Sequence, residues 1–287
     1  MAASLDLASL QSMAKTLQGS FLSQVLVLLF LVLVLRYVAA FWRTGLSPYE
    51  VQTCPPINPH VHYRYGVSQM QGRRPYMEDR HTAISDLNGD PKQSFYGIFD
   101  GHGGEGAANY CVQAMCQNVI REPMLTKEPV EALKNGFLRT DQEYLQIANH
   151  KNSEDGTTAV VVLTQGDEMF VAHAGDSRAI LVHRSEGILA VSRAIGDRML
   201  KPFVVAEPEV KQFTRTDADR YVVLASDGVW DTVSNEDVAQ LVLKYEDPQA
   251  AAQRIMEEAY ARGSMDNICA MVIDLRAEKI ECSATDR

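Results

Sequence analysis

Apolar residues follow two different patterns along the chain. Near the N-terminus they form one unbroken run, Val25 to Leu35, which flanking apolar residues extend to about 20 positions, the length of a bilayer-spanning helix. After residue 62 they recur in short runs of strand length and in longer stretches with helical spacing. The pattern therefore predicts one membrane helix followed by a globular domain.

The predicted membrane helix covers residues 21–42, and it would contact the lipid bilayer through Phe21–Trp42. Arg36 lies near its end, where a long side chain can reach the headgroups, and Tyr37 suits the membrane interface. A cleaved signal peptide and a buried core helix are the alternatives. Because Lys15 is the only basic residue before the apolar run, a signal peptide is disfavoured and an uncleaved anchor is predicted.

Basic residues on the two sides of this helix indicate its orientation, because they accumulate on the cytosolic side of membrane helices. Lys15 precedes the apolar run, whereas its end and the following chain carry Arg36, Arg43, Arg64, Arg73 and Arg74. The five cysteines are odd in number and include no C-x-x-C pair, which favours free thiols in a reducing compartment. We therefore predict a single-pass membrane protein whose large C-terminal part lies in the cytosol.

The chain divides into five predicted segments. Four prolines and the lack of an apolar period mark residues 43–62 as an extended linker. The other segments are an N-terminal tail (1–20), the anchor (21–42), one folded domain (63–276) and a polar C-terminal tail (277–287).

Within the folded domain the strands come mostly in succession and the helices are grouped, which favours an α+β fold with antiparallel sheets over alternating βαβ units. The predicted helices are Gly104–Arg121, Glu128–Ala148 and Glu236–Tyr260, the last split at Pro248. The predicted strands are Ser94–Phe99, Thr158–Thr164, Met169–Ala174, Arg178–His183, Ile188–Ser192, Arg220–Ala225 and Ile268–Leu275.

Composition narrows the class of protein. Hydrophobic residues make up 46% and charged residues 22% of the chain, which excludes a disordered chain and a protein with several membrane spans. Lys and Arg number 27 against 37 Asp and Glu, a formal net charge of −10. This charge disfavours nucleic acid as a partner, and any phosphate-bearing ligand must be attracted by a local feature.

A glycine-rich segment follows one predicted strand. Residues 95–106, FYGIFDGHGGEG, contain the spacing G-x-G-x-x-G that also occurs in dinucleotide-binding proteins. Asp100 stands beside the position of the pyrophosphate, where a second negative charge is unfavourable. The expected alternation of strands and helices is also missing downstream, so a dinucleotide-binding oxidoreductase is the least favoured function.

Acidic residues recur at the ends of the apolar runs. Carboxylates that converge from separate strands repel one another unless cations neutralise them. Because no cysteine or histidine cluster accompanies these oxygen ligands, the pattern favours Mg²⁺ or Mn²⁺. Any single residue of the set is also explained as a turn or capping residue. The set is Glu78, Asp79, Asp100, Asp176, Asp227 and Asp266.

Whole motifs in the domain resemble those of the metal-dependent type 2C protein serine/threonine phosphatases, and they occur in the same order. They are GRRPYMED (72–79), FDGHGG (99–104), GTTAVVVL (156–163), AHAGDSRA (172–179), LAVSRAIGD (189–197), LASDGVWD (224–231) and SMDNICAMVI (264–273).

The resemblance implies a β-sandwich of two mainly antiparallel sheets, flanked by helices on both sides and preceded here by the transmembrane helix. It implies a monomeric hydrolase that removes phosphate from phosphoserine and phosphothreonine in proteins. The anchor, linker and domain together are similar to the membrane-tethered branch of this family at the endoplasmic reticulum.

The resemblance also implies a role for each motif residue. Asp100 would bridge two Mn²⁺ or Mg²⁺ ions, and the Gly101 carbonyl would bind one of them. Arg74 would bind the phosphate, and His102 would act as the general acid for the leaving group. The remaining metal-site residues are Asp227 and Asp266, which complete the ligands of the other ion, Glu78 and Asp79, which hold metal-bound waters, and Asp176, which helps bind a looser third ion.

Phosphate chemistry supports these roles independently. A water shared by two divalent ions loses a proton near neutral pH and can attack phosphorus in line, so no side-chain nucleophile is needed. Neither Cys111 nor Cys116 begins a C-x₅-R phosphate loop, since Gln117 and Glu122 stand at the arginine position. An arginine such as Arg74 matches phosphate with two parallel hydrogen bonds.

The chain departs from the family pattern at one place. Between the GDSRAILV strand and the LAVSRAIGD motif, the family usually has a few dozen residues, whereas here only residues 183–187 connect them. None of the predicted site residues lies in this short connection. Two hypotheses follow: an active phosphatase with a shortened domain, or a phosphatase-like protein that binds phosphorylated partners without turnover.

Overall fold

The computed structural model describes residues 63–183, 195–196 and 205–276. The predicted anchor, linker and tails lie outside these residues, as do the predicted strand Ile188–Ser192 and most of the short connection. Within the described ranges, no helix combines the length and the apolar character that crossing a membrane requires.

Two antiparallel sheets form the centre of the fold. The four-stranded sheet has the order β1 (Arg64–Met70), β12 (Ile268–Asp274), β11 (Asp219–Ala225), β8 (Arg178–His183). The five-stranded sheet has the order β10 (Glu209–Thr214), β7 (Glu168–Ala174), β6 (Ala159–Gln165), β3 (Asp90–Phe99), β2 (Arg80–Leu87). A small third sheet joins β4 (Gly101–His102), β5 (Gly156–Thr157) and β9 (Ile195–Gly196).

Helices cover the outer face of each large sheet. The helices are α1 (Gly106–Ile120), α2 (Pro129–Lys151), α3 (Asp227–Trp230), α4 (Asn235–Val242) and α5 (Pro248–Ala261). One apolar cluster joins α1 and α2 to the five-stranded sheet, and a second joins α4 and α5 to the four-stranded sheet. A third cluster fills the space between the sheets. The predicted α+β sandwich with helices on both sides is therefore confirmed.

The alternation of side chains along the central strands explains their apolar sequences. On β11, Val222 and Leu224 point between the sheets, whereas Tyr221 and Val223 pack under the helices. Both faces of such a strand are buried, so its sequence is apolar throughout rather than alternating.

In the two large sheets the prediction did not include β1, β2 or β10, and in the small sheet it did not include the two-residue strands β4, β5 and β9. Each of the three strands in the large sheets pairs with only one strand among the described residues, and each mixes polar with apolar residues. In β1, Gly66 is required by packing, since a Cβ there would lie 2.3 Å from the backbone of Gln249 in α5. The predicted split at Pro248 is confirmed, because Asp247 caps the new helix by accepting hydrogen bonds from the N–H groups of Gln249 and Ala250.

Candidate metal centre

Three carboxylates from separate segments meet at one edge of the sandwich. Asp100 follows β3, Asp176 precedes β8, and Asp227 begins α3 after Ser226, which separates it from β11. Each offers an oxygen atom within 4.8 Å of the others. Thr158 holds the backbone of Asp100 in place, because its N–H donates to the Asp100 carbonyl at 2.8 Å and its hydroxyl accepts from the Asp100 N–H at 3.2 Å. The convergence expected from strand-end carboxylates is thus present for these three residues.

Burial and mutual repulsion alter the acidity of this cluster. Burial raises the pKa of Asp100, and the neighbouring charges of Asp79, Asp227 and Asp176 raise it further. The pKa of Asp227 is also raised, first by burial and then by the charges of Asp266 and Asp176. The ionised cluster is therefore unfavourable on its own, and cations would relieve the repulsion.

Asp79 lies beside the cluster and is buried. One of its oxygens accepts a hydrogen bond from the Ser226 hydroxyl at 2.7 Å. Burial raises the pKa of Asp79, and the charges of Asp227 and Asp266 add to the rise. The Oδ1 atoms of Asp79 and Asp227 are buried without a hydrogen-bond partner in the described part of the chain. Because buried oxygens without partners are costly, these atoms fit divalent cations or the waters that such cations hold.

Asp266 and Arg74 lie at the same edge but bind each other. The Arg74 guanidinium donates to Asp266 at 2.5 Å, and both side chains are partly exposed. Asp266 is therefore not one of the three converging carboxylates, although its charge raises the pKa of Asp79 and of Asp227. The predicted metal ligand and the predicted phosphate-binding residue form an ion pair in this structure.

Glu78 and Gly101 lie in direct contact through their backbones. A Cβ on Gly101 would lie 2.8 Å from the Glu78 carbonyl oxygen, so a glycine is needed for the two segments to approach this closely. The Glu78 N–H donates to the Asn267 side chain at 2.8 Å. The structure thus brings the chain at Glu78 and Asp79 against the chain at Asp100 and Gly101.

Two residues that the sequence did not single out hold these segments together. The Asn267 amide donates to the carbonyls of Gln71 and Tyr76, both at 2.8 Å, and so clamps the loop that carries Arg74. The Ser226 hydroxyl, besides donating to Asp79, accepts from the Cys269 N–H at 3.0 Å. In the sequence, Asn267 and Ser226 are ordinary polar residues. The one signal that could have indicated them is that each is next to a predicted metal ligand, Asp266 or Asp227.

Asp155 occupies the N-terminal end of α1, next to the glycine-rich segment. It accepts hydrogen bonds from the Ala107 N–H at 2.8 Å, from the Tyr144 hydroxyl at 2.5 Å and from the Ser153 hydroxyl. Burial alone would raise its pKa, but these donors hold the pKa below its usual value. A Cβ on Gly106 would lie 2.6 Å from its carboxylate. A carboxylate of the chain therefore lies against the glycine-rich turn and binds the helix N-terminus, where a second negative charge such as a pyrophosphate is unfavourable, and this argues against the dinucleotide-binding alternative.

His102 lies on β4, where it pairs with Gly156 of β5, and its side chain is exposed. The strand β5 directly follows Asp155, so one short segment supports both the glycine-rich turn and the histidine that precedes it. His102 stands two residues after Asp100 in the chain, which keeps its backbone close to the cluster.

We expect Asp155→Ala to destabilise the protein by about 3 kcal/mol, because it removes a charged helix cap and leaves the Tyr144 hydroxyl without its acceptor. Urea unfolding measures this change. Asp217→Ala, at an exposed position, is the matched control and should change stability little. A loss below about 1 kcal/mol would show that other groups cap α1 equally well.

Comparison with known proteins identifies relatives for the described domain. A family model for protein phosphatase 2C matches residues 63–188 and 182–268, and these two matches meet at residues 182–188. A probable protein phosphatase 2C 59 of Arabidopsis thaliana is 36% identical over 247 residues, covering 74% of this chain and 79% of the relative. A probable protein phosphatase 2C 52 of Oryza sativa subsp. japonica is 35% identical over 251 residues, covering 75% of this chain and 51% of the relative.

Solved structures share the fold. The serine-threonine phosphatase 2C from Toxoplasma gondii superposes with a TM-score of 0.69 at 20% identity, over 79% of this chain and 99% of that chain. A C. elegans sex determining protein superposes with a TM-score of 0.68 at 24% identity, over 76% of this chain and 66% of that chain. At these identities the similarity supports the architecture of two sheets and flanking helices.

Proposed function

The chain belongs to the protein phosphatase 2C family of metal-dependent protein serine/threonine phosphatases, and we propose that its catalytic centre is the cluster of Asp100, Asp176 and Asp227. The observation that carries this assignment is the convergence of three carboxylates beside buried oxygens that lack partners. Carboxylate oxygens are the ligands that Mg²⁺ and Mn²⁺ prefer.

Different acidic residues would bind the two metal ions, and Asp176 would help bind a third ion. Asp100 would bridge the two ions, the Gly101 carbonyl would bind one of them, and Asp227 and Asp266 would complete the other. Glu78 and Asp79 would hold waters. When bound, the ions neutralise the carboxylates and lower the pKa of a water for attack on phosphorus.

The other residues of the centre would bind the substrate and move a proton. Arg74 would bind two phosphate oxygens, which requires its guanidinium to exchange its bond to Asp266 for bonds to the phosphate. His102 would donate a proton to the departing serine or threonine oxygen. The Ser226 hydroxyl would keep Asp79 in position.

A cysteine nucleophile does not compete with this mechanism in the described part of the chain. Cys111, Cys116 and Cys269 are free and buried. Burial raises the pKa of each of these thiols, whereas a nucleophilic cysteine needs an accessible thiolate.

A second candidate is a protein that binds phosphorylated partners without turnover. It is favoured by one observation: the two family matches meet at residues 182–188, where the chain has only a short connection between two motifs. The acidic set is intact, which supports the enzyme.

For the cellular setting, we propose a single-pass protein of the endoplasmic reticulum membrane, anchored by residues 21–42, with a cytosolic domain that acts as a monomer and binds no nucleic acid. The unbroken apolar run, the basic residues that follow it and the net charge of −10 support this proposal.

The two candidate functions are separated by one assay on the full chain in detergent. We expect phosphate release from a phosphothreonine peptide with Mn²⁺ and none above background in EDTA. Asp227→Asn should reduce release at least about a hundredfold, because it removes a ligand. The matched control Asp217→Asn changes an exposed carboxylate and should retain activity.

Each alternative result has a definite meaning. A folded wild-type protein that binds the peptide but releases no phosphate with Mn²⁺ would identify the binding protein. Equal release by wild type and Asp227→Asn would show that the metal centre lies elsewhere.

A further inference from the structure

Two loops beside the metal centre carry the most exposed large apolar side chains of the described residues. Tyr76, in the loop between β1 and β2, is 72% exposed, and Met265, in the loop between α5 and β12, is 67% exposed. The next in order, Val205, is 46% exposed. Exposed apolar groups on neighbouring loops beside a reactive centre indicate a binding surface.

Hydrogen bonds join the two loops into one unit. The Asn267 side chain donates to the carbonyls of Gln71 and Tyr76 and accepts from the Glu78 N–H. Gly72 has a φ of +63°, and a Cβ there would lie 2.1 Å from the Asp266 carbonyl oxygen. Because the backbone under Tyr76 and Met265 is already fixed, a ligand that covers these side chains loses little affinity to loop ordering.

Arg73 connects the two loops on their outer side. Its guanidinium donates to the Ser264 carbonyl at 2.7 Å, contacts the Met265 sulfur at 3.6 Å and lies 4.9 Å from the centre of the Tyr260 ring. The cation therefore supports the Met265 side chain while covering the face of Tyr260. We call the surface formed by Arg73, Tyr76, Tyr260 and Met265 the rim.

The rim is continuous with the proposed catalytic centre. Arg74 follows Arg73 in the chain and pairs with Asp266, which follows Met265. Residues of a peptide whose phosphate is bound by Arg74 therefore lie close to the rim. An extended peptide advances about 3.3 Å per residue, so the rim is within reach of side chains close to the phosphorylated one.

We propose that the rim binds a large apolar or aromatic side chain within about three residues of the phosphorylated serine or threonine of the substrate protein. The inference rests on the proposed function, since it uses the same centre to position the peptide. The rim does not contact the reacting atoms, so it acts on substrate affinity rather than on the rate of the bound complex.

Paired phosphothreonine peptides test the rim on the full chain. One series carries a single Leu or Phe at successive positions on either side of the phosphothreonine, and the reference peptide carries Gly at all of them. We expect the best apolar peptide to exceed the reference about tenfold in kcat/KM, mainly through KM, and the double variant Tyr76→Ala/Met265→Ala to reduce this preference to about twofold. The matched control Leu138→Ala changes an exposed apolar residue on α2 and should retain the preference.

The proposal is overturned if wild type shows no preference at any position, or if the double variant keeps it. It is also overturned if the double variant changes only the mass of the protein in solution, because the rim would then be a contact between copies of the chain.

Peptide binding separates this proposal from the proposed function. Fluorescence anisotropy with the Asp227→Asn variant measures affinity without turnover, and the apolar preference should appear in Kd and decrease when the rim substitutions are added. If wild type lacks Mn²⁺-dependent turnover but the Kd still depends on the rim residues, the phosphatase assignment fails and the rim is still a peptide-binding surface. If turnover is present and neither kcat/KM nor Kd depends on the rim, the rim alone fails.

Discussion

Asp100→Asn is expected to eliminate Mn²⁺-dependent phosphate release while making the metal-free protein more stable. The loss of activity, about a thousandfold or more, follows from removing the carboxylate proposed to bridge two ions. The gain in stability follows because Asp100 is half-buried beside Asp79, Asp176 and Asp227, and an amide at this position carries no charge to repel them. Peptide hydrolysis and thermal unfolding in EDTA measure the two effects.

The stability effect depends on pH in a defined direction. The folded protein raises the pKa of Asp100 above its value in the unfolded chain, so the folded state retains a proton that the unfolded state has lost. Stability in EDTA therefore falls as pH rises from about 4 through the folded pKa. Asp100→Asn removes this contribution, so its advantage should grow toward neutral pH and raise Tm by at least about 4 °C.

Mn²⁺ should make wild type more stable than Asp100→Asn, which is the reverse of their order of stability in EDTA. The ion binds only the assembled centre, so it raises the Tm of wild type by mass action and raises that of Asp100→Asn much less. Asp217→Asn serves as the control, because it removes a charge from a fully exposed position outside the cluster of converging carboxylates. Lower stability of Asp100→Asn in EDTA would mean that the cluster is not under electrostatic strain.

The convergence of the acidic residues was predictable because of where each one lies along the chain. Asp100 directly follows β3, and Asp227 follows β11 after one intervening residue. The ends of both strands are buried on both faces, and the strands belong to the two sheets that pack together. A charged residue that ends such a strand lies at the edge of the apolar core, where only a turn or a bound ligand explains its charge. Sequence pattern alone therefore located three carboxylates that the structure brings together.

The supports of the centre were not predictable, because their partners are far away in sequence. Asn267 binds the carbonyl of Gln71, and nothing in either local sequence indicates that pairing. Asp155 is the clearest case: as a residue before Gly156 it resembles a turn aspartate, yet it caps α1 and fills the glycine-rich turn. The glycines of this turn leave room for the Asp155 carboxylate, a partner that the local sequence does not indicate.

Edge strands account for most of the residues whose strand structure was not predicted from the sequence. A strand such as β10 contacts one neighbour among the described residues and has no fully buried side chain, so its residues need not be apolar. The residues that pair it with β7 are Lys and Gln as often as Val and Phe. Propensity cannot separate such a segment from a loop, and only the register with β7 defines it.

His102→Ala is expected to reduce kcat for a phosphothreonine peptide by about a hundredfold to ten-thousandfold, with little effect on p-nitrophenyl phosphate. A threonine alkoxide leaves poorly unless it receives a proton, whereas p-nitrophenolate leaves without one. His102 is exposed on β4, so its removal should not unfold the domain. Steady-state kinetics on both substrates, with Mn²⁺ at saturation, give the comparison.

The ratio of the two effects distinguishes proton donation from a structural role. His150→Ala, at an exposed position in the last turn of α2, is the matched control and should leave both rates unchanged. If His102 instead only positioned the adjoining Gly101 and Asp100, its loss would disturb the metal centre and slow both substrates equally. Equal losses would therefore reject His102 as the general acid, because a proton donor matters only in proportion to how poorly the leaving group departs.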